Sequence, residues 1–330
     1  MSPIKNPVQY FCQGLKTKND FLLASHVNPE GDAVACLLAV DSLLRRLGKK
    51  STIACEDAFP SRLKALPSHR WNQVKHIKRT ARFGALLVAD CATLERIGKT
   101  IELVKRRMSI FNIDHHVTNQ MFGNYNLVMP KAAASGEVVY DIFKYFKLPF
   151  TKEEATALYV SIATDTGSFR YGNTTIRTHK IAAELMGAGI DTARINDDLY
   201  SVFTLPKIKL YSILMDKIKL EHKGQIAWAV VSRKDLKSSG ATYEDIEGFI
   251  DFLKYIQGIK FAFLMTELPA PKNLRISFRS MGHYDASQIA ACFGGGGHRK
   301  AAGCTMAGTS DGAVNLILAE MAHELESKGN

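Results

Sequence analysis

Residues 21–40, FLLASHVNPEGDAVACLLAV, join a short apolar run to a longer one through a polar turn carrying His26, Glu30 and Asp32. The first run, FLLAS (21–25), has the length and composition of a buried strand. The second, 32–47, is long enough for a helix, and Gly48 follows where positive φ closes a helix at least cost. STIAC (51–55) reads as the next strand, and GALLVAD (84–90) and MSIFNID (108–114) repeat the pattern. Short apolar strands alternating with helical segments predict an α/β fold: a doubly wound parallel sheet with helices on both faces. A further helix is expected in TKEEATALYVSIATDTG (151–167). Thr151 and Glu154 form a capping box at its start and Gly167 follows its end, which puts Asp165 at the C-terminal edge.

The chain has 330 residues, more than one core usually supports at about 150 residues per domain, so two lobes are expected. Residues 190–222 read as helical segments interrupted at Pro206 and are expected to connect the lobes, giving domains at 1–189 and 223–330. Beyond them QIAWAVVS, FAFLMTEL and LRISFRS resume strand patterns, so the smaller second lobe is expected to be α/β with a mixed sheet. In LRISFRS (274–280) Leu274, Ile276 and Phe278 alternate with Arg275, Ser277 and Arg279, which makes one face cationic.

A hydrophobic fraction of 46% with 23% charged residues argues against disordered and fibrous classes. The apolar runs are shorter than the roughly 18 residues of a membrane helix, and the N-terminus lacks a secretion-signal pattern, so no membrane association and a cytoplasmic location are expected. Six cysteines without a C-x-x-C pair point to reduced, mostly buried thiols. The net charge of +11 favours polyanionic partners, although the basic stretch KHIKRTAR (75–82) has no interleaved aromatics and reads as a solvated face.

Ligands of open parallel sheets collect beyond the carboxyl ends of the strands, and the charged residues are placed there. His26, Glu30 and Asp32 follow the first strand, Asp90 ends GALLVAD, Asp114, His115 and His116 end MSIFNID, and Asp165 arrives from the capped helix. Singly, each is readily a helix cap or a satisfied structural residue. Together, four segments delivering only carboxylates and imidazoles to one edge would repel unless cations neutralised them. That donor set, without thiolates, suits Mn2+, Mg2+ or Zn2+. A bridging carboxylate, for which Asp90 is the candidate, could hold two ions about 3.5–4 Å apart that share a hydroxide for attack on phosphorus.

The motifs HVNPEGDA (26–33), VAD (88–90), DHH (114–116), TDTGSFRYGNTT (164–175) and FGGGGHRKAAG (293–303) occur in this order. Across nearly the whole chain they resemble the DHH phosphoesterases that carry a DHH-associated C-terminal domain, and most closely the stand-alone nanoRNase/pAp phosphatase branch. The resemblance implies a two-metal enzyme with its site in the cleft between the lobes. It would hydrolyse very short oligoribonucleotides to mononucleotides, and 3′-phosphoadenosine 5′-phosphate (pAp) to AMP. His26, Glu30 and Asp90 would hold one Mn2+ and Asp32, Asp90, His115 and Asp165 the other, with Mg2+ or Co2+ as substitutes. His116 would face the scissile phosphate, which makes Asp90, His115 and His116 the catalytic set. Arg279, Ser280, Gly296, Gly297 and His298 would grip the substrate's far end. One departure is Glu30, where the family motif reads N-P-D-G-D.

Phe169 and Arg170 are candidates for stacking on a base and contacting a phosphate, with interlobe packing as the competing role. The glycine run follows a helix expected in DASQIAACF with Asp285 as its cap, where backbone N–H groups could form an anion nest. Hydrolysis of linear or cyclic dinucleotides is the nearest competing activity, and a degenerate, non-catalytic nucleotide-binding protein the competitor from another class. A homodimer is left open.

Overall fold

The computed structural model describes residues 6–60, 63–201, 203–270 and 272–328. The chain divides into two compact units that meet in sequence at position 202.

The first unit begins with helix α1 (Pro7–Lys16), whose cap Asn6 accepts from the Gln9 N–H. It continues through β1 (Phe21–Ala24), α2 (Gly31–Arg46), β2 (Ser51–Cys55), β3 (Trp71–Gln73), β4 (Ala85–Ala89), β5 (Ser109–Asp114), β6 (Tyr125–Val128), α3 (Ser135–Tyr145), α4 (Lys152–Asp165), α5 (Ile176–Met186) and α6 (Thr192–Asn196). All six strands are parallel, in the order β3-β2-β1-β4-β5-β6. The chain runs outward from β1 to β3 and then returns to β4 on the other side of β1. The strand order therefore reverses between β1 and β4, where open α/β sheets leave a crevice.

Alternation along the strands builds two cores. Phe21 and Leu23 of β1 and Leu87 of β4 face α1 to α5, while Leu22, Leu86 and Val88 face the other way. The expected α/β class holds. Its second face is covered by the 3-10 turns of Leu94–Leu103 rather than by α-helices, because Gly98, at φ 59°, breaks that segment before an α-helix can form. Helix α4 has the capping box expected at Thr151 and Glu154 and ends at Asp165, with Gly167 at φ 56° beyond it.

The second unit comprises α7 (Leu205–Met215), β7 (Lys219–Glu221), β8 (Ile226–Val231), α8 (Arg233–Ser239), α9 (Phe249–Lys254), β9 (Phe261–Glu267), β10 (Asn273–Ser280), α10 (Ala286–Cys292), β11 (Gly296–His298), β12 (Ala301–Ala307) and α11 (Ser310–Lys328). Its sheet runs β11-β12-β10-β9-β8-β7, antiparallel except for the β8–β9 pair, and is the mixed sheet that was expected. Helices α10 and α11 cover one face, packing on Phe261, Phe263 and Phe278. Helices α7, α8 and α9 cover the other, packing on Ala262 and Leu264.

Of residues 190–222, those before position 202 pack with the first unit and those after it with the second. Pro206 lies in the first turn of α7, where its missing N–H costs nothing. No helix among the described residues is long and apolar enough to cross a membrane.

Candidate metal centre

The Ser25 hydroxyl donates to the Ala89 carbonyl at 2.6 Å, tying the carboxyl ends of β1 and β4 together at the point of strand reversal. His26 follows directly. Its Nδ1 lies 2.8 Å from the Val27 carbonyl, and since a carbonyl only accepts, Nδ1 carries the proton and Nε2 turns toward Asp90 Oδ2, 3.8 Å away. Asp90 sits one residue past β4 in the left-handed region, at φ 55°, with its N–H bound to the Ile113 carbonyl. The Ser135 hydroxyl donates to its Oδ1 at 3.0 Å.

Asp32 lies in the first turn of α2 and is almost fully buried. Its Oδ2 accepts the Ser135 N–H at 2.8 Å, and its Oδ1 accepts the Gly136 N–H at 3.2 Å and the Ser161 hydroxyl. Two of these donors are the first N–H groups of α3, which lack partners within the helix and carry its positive pole. Gly31 is close against Thr164 of α4, so a side chain there would collide and push α2 away. Gly136 is likewise pressed on the Ser161 hydroxyl.

His115 gathers the carboxylates. Its Nδ1 is 3.1 Å from the Ala132 carbonyl, and its Nε2 is 3.0 Å from Asp165 Oδ2 and 3.8 Å from both Asp32 Oδ2 and Asp90 Oδ1. His116 is turned by Asp114, whose Oδ1 accepts from His116 Nδ1 at 2.7 Å and from the His115 N–H at 2.8 Å.

These charges strain against one another. Burial pushes Asp32 well above the usual carboxylate range, the charges of Asp90 and Asp165 add to this, and His115 and the Ser161 hydroxyl only partly oppose it. Burial would raise Asp90 too. The imidazoles of His26, His116 and His115 around it outweigh this and hold Asp90 well below its ordinary value. Burial lowers His115, but the hydrogen bond and charge of Asp165, with the charges of Asp32 and Asp90, overcome this and carry it up to about 11.

Asp32, Asp90 and Asp165 crowd negative charge at one buried edge, and Asp165 sits at a helix C-terminus, where the backbone dipole disfavours it. The donor set answers to a hard or borderline divalent cation. Ligand atoms of Asp32, Asp90 and His115 lie within 4.8 Å of one another, as do those of Asp90, Asp114 and His116. Both His26 and His115 present Nε2 to the carboxylates with Nδ1 fixed on a carbonyl, the arrangement typical of metal-bound imidazoles.

The structure thus brings together His26, Asp32, Asp90, His115 and Asp165 and places His116 beside them. Glu30 is different. It is the N-cap residue of α2, with an exposed side chain that makes no cap hydrogen bond, and it belongs to neither of those groups. Phe169, at φ 63°, packs inside the first unit, stacked on the His179 ring at 5.4 Å and against the core. Arg170 is exposed, with Nε donating to the Gly167 carbonyl at 2.6 Å.

In the second unit Arg279 is half-buried, with Nε 3.4 Å from Asp251 Oδ1. Ser280 is buried, its hydroxyl 2.9 and 2.8 Å from the Tyr284 and Arg299 carbonyls. The expected nest at the start of the glycine run is replaced by a helix cap, since the Gly294 and Gly295 N–H groups bind the Ala291 and Ala290 carbonyls. Gly296, Gly297 and His298 form the exposed strand β11 on β12. At Gly297, φ 144° and contact with Ala302 leave no room for a side chain.

Sequence reasoning gave no role to Ser135 or Ser161, which hold Asp32 and Asp90. Ser161 had a legible signal, since it lies four residues before Asp165 on the same face of α4.

Comparison with known proteins agrees with this geometry. Residues 20–162 match the DHH family, N-terminal domain, and residues 223–327 match the DHHA1 domain. The chain belongs to the DHH family. It is 30% identical over 310 residues to the bifunctional oligoribonuclease and PAP phosphatase NrnA of Thermus thermophilus, covering 93% of this chain and 90% of that protein. It is 27% identical to the Bacillus subtilis protein of the same name, covering 86% and 88%. A solved exopolyphosphatase-related protein from Bacteroides fragilis matches with a TM-score of 0.89 at 23% identity over 99% of each chain, which establishes the shared fold. DHH proteins are metal-dependent phosphoesterases, and this chain is a hydrolase of phosphoester bonds.

Proposed function

We propose that the protein hydrolyses very short oligoribonucleotides to mononucleotides and pAp to AMP, using two Mn2+ ions held by His26, Asp32, Asp90, His115 and Asp165, with Glu30 reaching in from the rim. The observation that carries this reading is the convergence of Asp32, Asp90 and Asp165 on His115 Nε2 at the carboxyl edge of the parallel sheet. The names of the Thermus and Bacillus relatives supply the substrate class.

When bound, the divalent cations supply charge neutralisation at the phosphate and an activated water. The protein's own groups do the rest. Asp32 is held rigid by the α3 N-terminus and Ser161, so its carboxylate need not reorganise when a ligand arrives. Burial lowers His116, but the Asp114 carboxylate at Nδ1 outweighs this and favours the imidazolium, whose second proton, on Nε2, is the one that would pass to the departing oxygen. In the second unit Arg279, Ser280, Gly296, Gly297 and His298 are assigned to holding the substrate away from the reacting phosphorus. Ser280 acts there by fixing the Arg299 backbone rather than by direct contact.

The test is a panel of pAp, pApA, RNAs of two to five nucleotides, cyclic dinucleotides and pyrophosphate, assayed with Mn2+ and with chelator. The reading expects Mn2+-dependent turnover of the short RNAs and pAp, falling with RNA length. Turnover confined to cyclic dinucleotides or pyrophosphate, or none at all, would overturn it.

A further inference from the structure

Asn112 is fully buried in β5, on the face of the sheet that carries Leu22, Leu86 and Val88. An amide is a poor occupant of an apolar face, and its Oδ1 has no hydrogen-bond partner among the described residues. Its Nδ2 makes two bonds, to Asn119 Oδ1 at 2.9 Å and Asn126 Oδ1 at 3.2 Å. Asn119 Oδ1 also accepts the Met121 N–H at 2.7 Å, which fixes which end of that amide is oxygen. Asn119 Nδ2 must then face the opposite way, where it donates to Asp114 Oδ2 at 2.5 Å and to the Cys91 carbonyl at 3.2 Å. The other oxygen of Asp114 takes the Nδ1 proton of His116. Every link in this series has a defined direction, and it starts from an amide that costs stability where it lies.

We propose that Asn119, itself held by Asn112, is a positioning residue that locks the Asp114 carboxylate so that His116 meets the substrate phosphate in one orientation. The inference rests on the proposed catalytic role of His116 and goes beyond it, assigning part of the activity to a buried amide that touches neither substrate nor metal. With Asn119 removed, Asp114 Oδ2 loses its side-chain donor and the carboxylate can rotate about its terminal bond. The plane of the imidazole is then no longer set.

Two variants test this. Asn119→Leu lowers kcat for an RNA dinucleotide by about 10–100-fold with KM and Mn2+ affinity unchanged, whereas Asn119→Gln, which keeps the amide, recovers part of the loss. On a p-nitrophenyl phosphodiester, whose leaving group needs no proton, the loss shrinks to about tenfold or less. Asn112→Leu removes the costly buried amide at similar volume, so thermal stability is retained or raised while kcat still falls. In the metal-free protein, NMR reports exchange of the His116 Nδ1 proton with solvent, which becomes about tenfold faster or more in Asn119→Leu. This readout stands even if the wild type fails to cleave RNA, so failure of the substrate assignment and failure of the positioning role are distinguishable. Wild-type kcat in Asn119→Leu, equal losses on both substrates, or an unchanged exchange rate overturns the proposal.

Discussion

His115 Nε2 lies 3.0 Å from Asp165 Oδ2, joining the carboxyl edge of the parallel sheet to the C-terminal end of α4. Without a cation this contact is an ion pair. His115 is raised from 6.5 to about 11, so its contribution to stability is fully present below pH 6.5 and is lost as pH rises through about 11. A metal ligand must give up that proton. Mn2+ binding is therefore expected to release protons near pH 7 and to tighten as pH rises. Calorimetric titration in buffers of different ionisation enthalpy measures the release, and binding with no proton release would contradict the assignment of His115.

Gly136 bears on the geometry of Asp32 rather than on its chemistry. A Cβ at this position would overlap the Ser161 hydroxyl, which itself holds Asp32. Gly136→Ala is expected to cost about 1–3 kcal/mol of stability and to weaken Mn2+ binding together with it. Chemical denaturation and metal titration of the same variant check both, and a variant as stable as wild type would show that α3 and α4 have slack here.

Glu30 separates reach from position. It replaces the usual aspartate with a side chain one methylene longer, and its carboxylate is exposed at the start of α2. If it closes on a bound ion, Glu30→Gln binds the first Mn2+ more weakly with the fold unchanged, whereas Glu30→Asp is tolerated. Two-ion binding and turnover by Glu30→Gln at wild-type levels would remove Glu30 from the ligand set.

Arg279 is expected to act on substrate binding. If Arg279 holds the far end of the substrate as proposed, Arg279→Ala raises KM for short RNA more than for a small activated phosphodiester that lacks that end. Equal effects on the two substrates would instead assign the loss to the ion pair with Asp251.

Much of the frame was legible because local signals agreed with the final packing. The capping box at Thr151, Gly48 after α2 and the alternation in LRISFRS are short-range patterns, and each has its counterpart in the structure. The carboxylates that converge on His115 were legible because the carboxyl edge of the sheet concentrates them. The groups that hold them in place were not. Ser135 and Ser161 reach Asp32 from 103 and 129 residues away, and although the i, i+4 spacing puts Ser161 on the face of α4 that carries Asp165, no local pattern names Asp32 as its partner. The glycine run misled for the opposite reason. Four glycines suit a nest, a helix cap and a close-packed edge strand equally well, and the choice was made by the Ala290 and Ala291 carbonyls and by the proximity of β12.

The most direct test of the metal centre is the initial rate of RNA dinucleotide hydrolysis against Mn2+ concentration, for the wild type and for Asp90→Asn. Asp90 lies within reach of His26, His115 and Ser135, and a neutral amide there cannot bind two cations. Chelator is expected to abolish wild-type turnover and Mn2+ to restore it, while Asp90→Asn folds normally and is slower by about 100–1,000-fold or more at every Mn2+ concentration. Turnover by Asp90→Asn within about tenfold of wild type, or hydrolysis that survives the chelator, would contradict the two-metal account.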